Sequence, residues 1–273
     1  MSDETARPVI VIVTFGSSVE QGLKNLEDMD QMVRERFPDH DIRWAWMAGS
    51  IIRKLARASV TTMFERRVPI KGLDEVYEDL RREHKPNVVV QCLLIMPGLK
   101  MREVLGHRTD GLNVKFGYSL LFDPRNIQRL ADALSSEFGD ADTAVVLCAH
   151  GNGEYPEYNA PFLEMDAYLR QRYDHAFVAT VEGPPGVAPA IEAVVKLGAS
   201  RVKFVPLMLV EGDHILHDVM GDGPDSWRTL VGLPATNTTG LASNPKVMAL
   251  FLDSIADLLS QYVLQSGPAP CQP

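Results

Sequence analysis

Cysteine is scarce in this sequence. There are three in 273 residues, Cys92, Cys148 and Cys271, at no spacing that suggests a disulfide framework or a zinc motif. Cys92 and Cys148 sit inside apolar runs and read as buried thiols, which fits a reducing compartment. Positive charge is also in short supply. Lys and Arg total 27 against 36 Asp and Glu, and the formal net charge of −9 is opposite in sign to the footprint of a nucleic-acid-binding domain. No apolar run approaches the length of about 20 residues that spans a bilayer. The N-terminus carries Asp3 and Glu4 and lacks the positive start and long apolar core of a secretory signal. These absences predict a cytoplasmic protein with no nucleic-acid and no membrane partner. G-x-G-x-x-G, the Walker lysine and the G-x-S-x-G elbow are missing too, so neither a nucleotide site nor a hydrolase elbow is expected.

What is present is a run of buried-strand signatures. Residues 8–15, 88–96, 145–148, 176–181 and 202–209 are apolar and rich in Val, the mark of parallel strands covered on both faces. Between them lie segments with helical spacing, among them 19–37, 73–84, 126–138, 160–173, 187–197 and 245–264. Strand–helix alternation predicts an α/β architecture with parallel sheets. The length exceeds one ordinary domain. Asp123-Pro124 marks a junction between a first lobe, 1–122, and a second, 123–273, with the last helix free to pack back on the first. The halves echo each other: 9–18 resembles 145–153, and 88–98 resembles 202–212, where an apolar run reaches a glycine after the same step. Two similar lobes with a cleft between them are expected. Residues 267–273, rich in Pro and Gly, read as an unstructured tail.

Three strands of the second half end on metal-competent residues: His150 in C-A-H-G-N-G, Glu182 in V-E-G-P-P, and His214 in V-E-G-D-H-I-L-H-D-V-M-G-D. In an open parallel sheet these positions share the carboxyl edge, where ligands bind. The interval from His150 to Glu182 equals that from Glu182 to His214, 32 residues, about one strand–helix repeat. Two imidazoles and a carboxylate suit a transition metal. Each residue also has an ordinary reading: a strand-end histidine bonded to backbone, a carboxylate in an ion pair, an acidic capping loop around His214. The last explains Asp213, Asp218 and Asp222 but not His214 and His217. Gly151 is expected to let a flat ligand approach, Ser17 in T-F-G-S-S to help cradle an anion with backbone N–H groups, and Asp213 to contact the ligand.

At these residues the chain resembles a known family, the anaerobic sirohydrochlorin cobaltochelatases, class II tetrapyrrole chelatases of early-insertion cobalamin synthesis. The resemblance covers nearly the whole chain. It rests on V-T-F-G-S-S at 13–18, I-M-P-G at 95–98, H-G-N-G at 150–153, T-V-E-G at 180–183 and P-L-M-L-V-E-G-D-H…D…G-D at 206–222. The resemblance implies two flavodoxin-like lobes enclosing the tetrapyrrole, with His150, Glu182 and His214 as metal-binding and catalytic residues. It implies Co²⁺ as a substrate metal, with Fe²⁺ or Ni²⁺ as other takers, and sirohydrochlorin as the ring. Members often carry a His three residues before the Pro-Gly of the first lobe. Here that place is Leu94, and haem is not expected. A siroheme ferrochelatase and a non-catalytic tetrapyrrole or metal carrier remain open as other readings, and so does a homo-oligomer.

Overall fold

The structure, a computed structural model, describes residues 7–139 and 141–265. The expected tail at 267–273, with Cys271, falls outside them. In the first half the chain forms β1 (Val9–Thr14), α1 (Glu20–Arg36), β2 (Ile42–Trp46), α2 (Gly49–Arg57), a small antiparallel pair β3 (Thr62–Met63) and β4 (Val68–Pro69), α3 (Leu73–Arg82), β5 (Asn87–Cys92), α4 (Leu99–Leu105) and β6 (Asn113–Gly117). The second half contains α5 (Arg125–Ala133), β7 (Thr143–Gly151), α6 (Ala160–Arg172), β8 (Ala176–Glu182), α7 (Ala188–Leu197), β9 (Arg201–Pro206), a π-helical turn (His214–Val219), α8 (Trp227–Val231), β10 (Ala235–Asn237) and α9 (Pro245–Gln265).

Two parallel sheets result, ordered β2-β1-β5-β6 and β8-β7-β9-β10. The orders are equivalent. β7 occupies the place of β1, and β9 the place of β5, which is the pairing the sequence echo picked out. In each sheet the chain leaves the first central strand toward one side and returns on the other, so β1/β5 and β7/β9 are the switch points where a crevice opens.

Alternation along the strands explains why they are apolar throughout. Ile10 and Ile12 point into one apolar layer, while Val9, Val11 and Val13 point into another. On β7, Val145, Leu147 and Ala149 face the first of those layers, and Ala144, Val146 and Cys148 face a third. The shared layer holds Leu26 and Met29 of α1, Phe162 and Met165 of α6, and Phe251 and Ile255 of α9. One central helical layer therefore serves both sheets. α9 closes it over the first lobe, where the Tyr262 hydroxyl donates to the carbonyl of Val88 at 2.9 Å. Both described cysteines are buried, and burial pushes the Cys92 thiol up to about 12 and Cys148 well above its ordinary value. They pack and do not react.

One expectation changes, and some elements had no counterpart in the sequence reading. The strand expected over 202–209 ends at Pro206, which has no N–H to continue the ladder. Residues 207–212 are irregular, and a π-helical turn begins at His214. The pair β3–β4 and the edge strand β10 were not foreseen. Among the described residues no helix is long and apolar enough to cross a membrane.

The carboxyl edges of the two sheets approach each other. A Cβ built on Gly22, in the first turn of α1, would lie 3.5 Å from the carbonyl oxygen of Glu211. Nearby, the Asn25 side chain donates to the Ser243 hydroxyl. On the other flank Arg102 Nη1 donates to the Tyr158 hydroxyl at 3.5 Å. These contacts join the two halves of the chain.

Candidate functional site

β7 and β9 are hydrogen-bonded neighbours, so the segments that follow them emerge side by side at the second switch point. His150 is exposed at the end of β7, on the strand face whose inner residues are Cys148 and Val146. Ile215 and Val219 anchor the π-helical turn on that same face and bring His214 across. The two imidazoles meet with ring centroids 4.6 Å apart and planes at 89°.

The other ring nitrogens are held. His150 Nδ1 lies 2.8 Å from the Gly151 carbonyl oxygen, which only accepts, so a neutral His150 carries its proton on Nδ1. His214 Nδ1 lies 2.6 Å from Asp218 Oδ2. In both rings the neutral tautomer leaves the lone pair on Nε2, the form in which imidazole binds a metal. Asp218 and the Gly151 carbonyl are outer partners of the kind that orient metal-binding histidines.

Glu182 sits differently. It lies beside Gly151 in the register of β7 and β8 and shares the carboxyl edge. Alternation sends it the other way, however: Ala176 and Val178 on its side of β8 face the central layer, whereas His150 continues the opposite face of β7. Its side chain is exposed, and its Oε2 accepts from the Gly153 N–H at 3.4 Å. No ion pair involves it among the described residues. Nor do any three His, Cys, Asp or Glu side chains gather there closely enough to hold an ion. The histidines come together; the carboxylate stands one strand away.

The remaining expected residues separate further. Gly151 has φ +76°, and a Cβ on it would lie 2.0 Å from the Glu182 carbonyl oxygen. The approach of β8 by itself requires a glycine here. The Ser17 side chain is buried, and its Oγ accepts from the Val19 N–H at 3.1 Å, closing the turn into α1. Asp213 is exposed and immediately precedes the π-helical turn. Leu94 packs against the outer layer of the first lobe. Asn159 was missed altogether. Fully buried, it donates to the carbonyls of Glu182 at 3.0 Å and Asn152 at 3.3 Å, tying the H-G-N-G and V-E-G segments together. No spacing in the sequence announces it. Glu211, half-buried beside the first lobe, has its carboxyl pushed up by burial.

A sequence profile of the cobalt chelatase (CbiK) family matches residues 8–260. The chain belongs to the cobalt chelatase family. It is 27% identical over 270 residues to the sirohydrochlorin cobaltochelatase of Salmonella typhimurium, covering 96% of this chain and 100% of that one. It is 29% identical over 232 residues to sirohydrochlorin cobaltochelatase CbiKC of Nitratidesulfovibrio vulgaris, covering 81% and 78%. Among solved structures, SirB from Bacillus subtilis with Fe³⁺ superposes with a TM-score of 0.63 at 11% identity over 95% of this chain and 98% of that one. The chelatase fold of two α/β lobes is thus common to chains of very different sequence.

Proposed function

We propose that the protein inserts Co²⁺ into sirohydrochlorin without a nucleotide. The observation that carries this reading is the facing pair His150 and His214 at the switch point of the second sheet, in a chain of the cobalt chelatase family. Insertion asks that a hydrated divalent ion lose water, that two pyrrole N–H protons leave, and that the ring be held facing the metal. One M²⁺ enters and two H⁺ depart, so charge balances.

His150 and His214 take the ion through Nε2, with water completing its shell. Two protein ligands hold a metal loosely enough to give it up, which suits transfer better than storage. Glu182, at the same edge but turned from the imidazoles, is the proton acceptor and offsets the incoming charge rather than closing the ligand set. The ring lies in the cleft between the lobes, 1–122 and 123–273, with Asp213 at its rim.

Glu182→Gln tests the assignment. The substitution keeps size and hydrogen bonding and removes the charge. Cobalt insertion, followed anaerobically by absorbance, falls by about 10²–10⁴ while the ring still binds. An exposed, unpaired carboxylate leaves stability within about 0.5 kcal/mol of the parent. Near-normal turnover per folded molecule with a marked drop in melting temperature would make Glu182 structural.

A further inference from the structure

The described residues include three neighbouring cations without a carboxylate partner: Arg53, Lys54 and Arg57 on α2. The chain carries an excess of acid, and many of its basic residues have counter-ions, among them Arg43 with Asp41 and Glu83, Arg125 with Asp123, and Arg170 with Asp166; what sets α2 apart is three such cations side by side. On α2 all three are exposed and, with Ser50 and Ala58, line an open groove of about 570 Å³. Helix chemistry explains part of this, since Lys54 and Arg57 lie in the last turn and offset the helix dipole. It does not explain Arg53.

The position of the helix supplies the rest. α2 starts at the carboxyl edge of the first sheet, where the Ala48 N–H donates to the Phe15 carbonyl at 3.1 Å. Lys54 Nζ donates to Ser18 Oγ at 3.0 Å, in the turn between β1 and α1. That turn leads into Gly22, which abuts Glu211, three residues before His214. The cationic face is thus linked to the segment that carries His214 through the β1–α1 turn and the contact of Gly22 with Glu211. Beside it Phe15 is 47% exposed, an aromatic surface at the end of a buried strand.

We infer that Arg53, Lys54 and Arg57 bind the peripheral carboxylates of the tetrapyrrole, with Phe15 presenting an apolar surface to its ring. This rests on the proposed chelatase function and adds which residues hold the substrate. Exposed cations attract carboxylates through charge, whichever side chain carries it. The lobes then divide the work, the second handling the ion and the first the ring.

The test compares the full chain with two variants: Arg53→Gln/Lys54→Gln/Arg57→Gln, and Arg53→Lys/Arg57→Lys. Metal-free sirohydrochlorin is titrated anaerobically at low and high salt, and KM is measured for the ring and for Co²⁺. A surface ion pair is worth a factor of about two to five. The Gln variant is therefore expected to weaken ring binding by about tenfold to a hundredfold, lose most of its salt dependence and raise KM for the ring. KM for Co²⁺ and kcat stay within about twofold, and the Lys variant stays close to wild type, as charge pairing across an exposed rim requires. Equal ring binding by wild type and the Gln variant would overturn the inference and leave the chelatase reading standing. So would equal weakening of both variants, which would mark a structural effect. Failure of wild type to bind the ring at all would overturn both.

Discussion

At the scale of the residue, the site depends on which nitrogen of each histidine is left open. Asp218 fixes this for His214, and its replacement is informative because Asp218 itself is assigned no contact with metal or ring. Asp218→Asn still occupies the space but no longer secures the tautomer or the basicity of the imidazole. Metal affinity is expected to fall by about 10- to 100-fold, with sirohydrochlorin binding unchanged, as read by parallel titrations. Loss of ring binding instead would assign Asp218 to the substrate. His150 and His214 were legible in the sequence because each follows an apolar strand, and strand ends in a parallel sheet converge on one edge. Asp218 was visible as part of an acidic cluster but not in its role, because its bond to His214 exists only once the turn winds. Glu182 was legible as an edge residue. Its orientation was not, because which face it takes depends on register and alternation against β7.

At the scale of the element, the stretch after β9 concentrates what the sequence hid. Pro206 stops the strand, and the chain then needs a tight turn to return His214 to β7. Short apolar runs look alike as strand or helix, so the π-helical turn had no signature beyond Ile215 and Val219. The strands β3, β4 and β10 are two or three residues long, too short for any period to show. Glu211 in the same stretch makes a pH prediction. Burial raises its carboxyl value in the folded state above that of the unfolded chain. Its contribution to stability is therefore present below the ordinary carboxylate range and is lost as pH rises through the raised value. Glu211→Gln removes that loss. Its melting temperature is expected to exceed the parent's at pH 7 to 8 by no more than a few degrees, the group being half exposed, and to converge with it below about pH 4. A lower melting temperature for the variant at neutral pH would show that the charge stabilises the fold.

At the scale of the whole molecule, alternation and echo foretold two lobes, but not that they share a core. The central layer takes residues from both sheets and from α1, α5, α6 and α9, and α9 crosses back to β5 and β6. Tryptophans report on this: Trp44 and Trp46 lie in the first lobe and Trp227 in the second. In a Trp227→Phe variant fluorescence follows the first lobe alone, while far-UV circular dichroism follows both. A shared core predicts coincident urea midpoints for the two signals. Separate midpoints would mean that the lobes fold independently.

The claim on which everything else rests is that the imidazole pair delivers the metal. It is tested most directly by the anaerobic rate of Co²⁺ insertion into sirohydrochlorin, followed by absorbance, for wild type and for His150→Ala/His214→Ala, with ring binding measured on the same samples. Delivery by the pair predicts a wild-type rate far above the uncatalysed one, and a double variant that binds the ring yet inserts cobalt no faster than solution. Insertion by the double variant at the wild-type rate would contradict it.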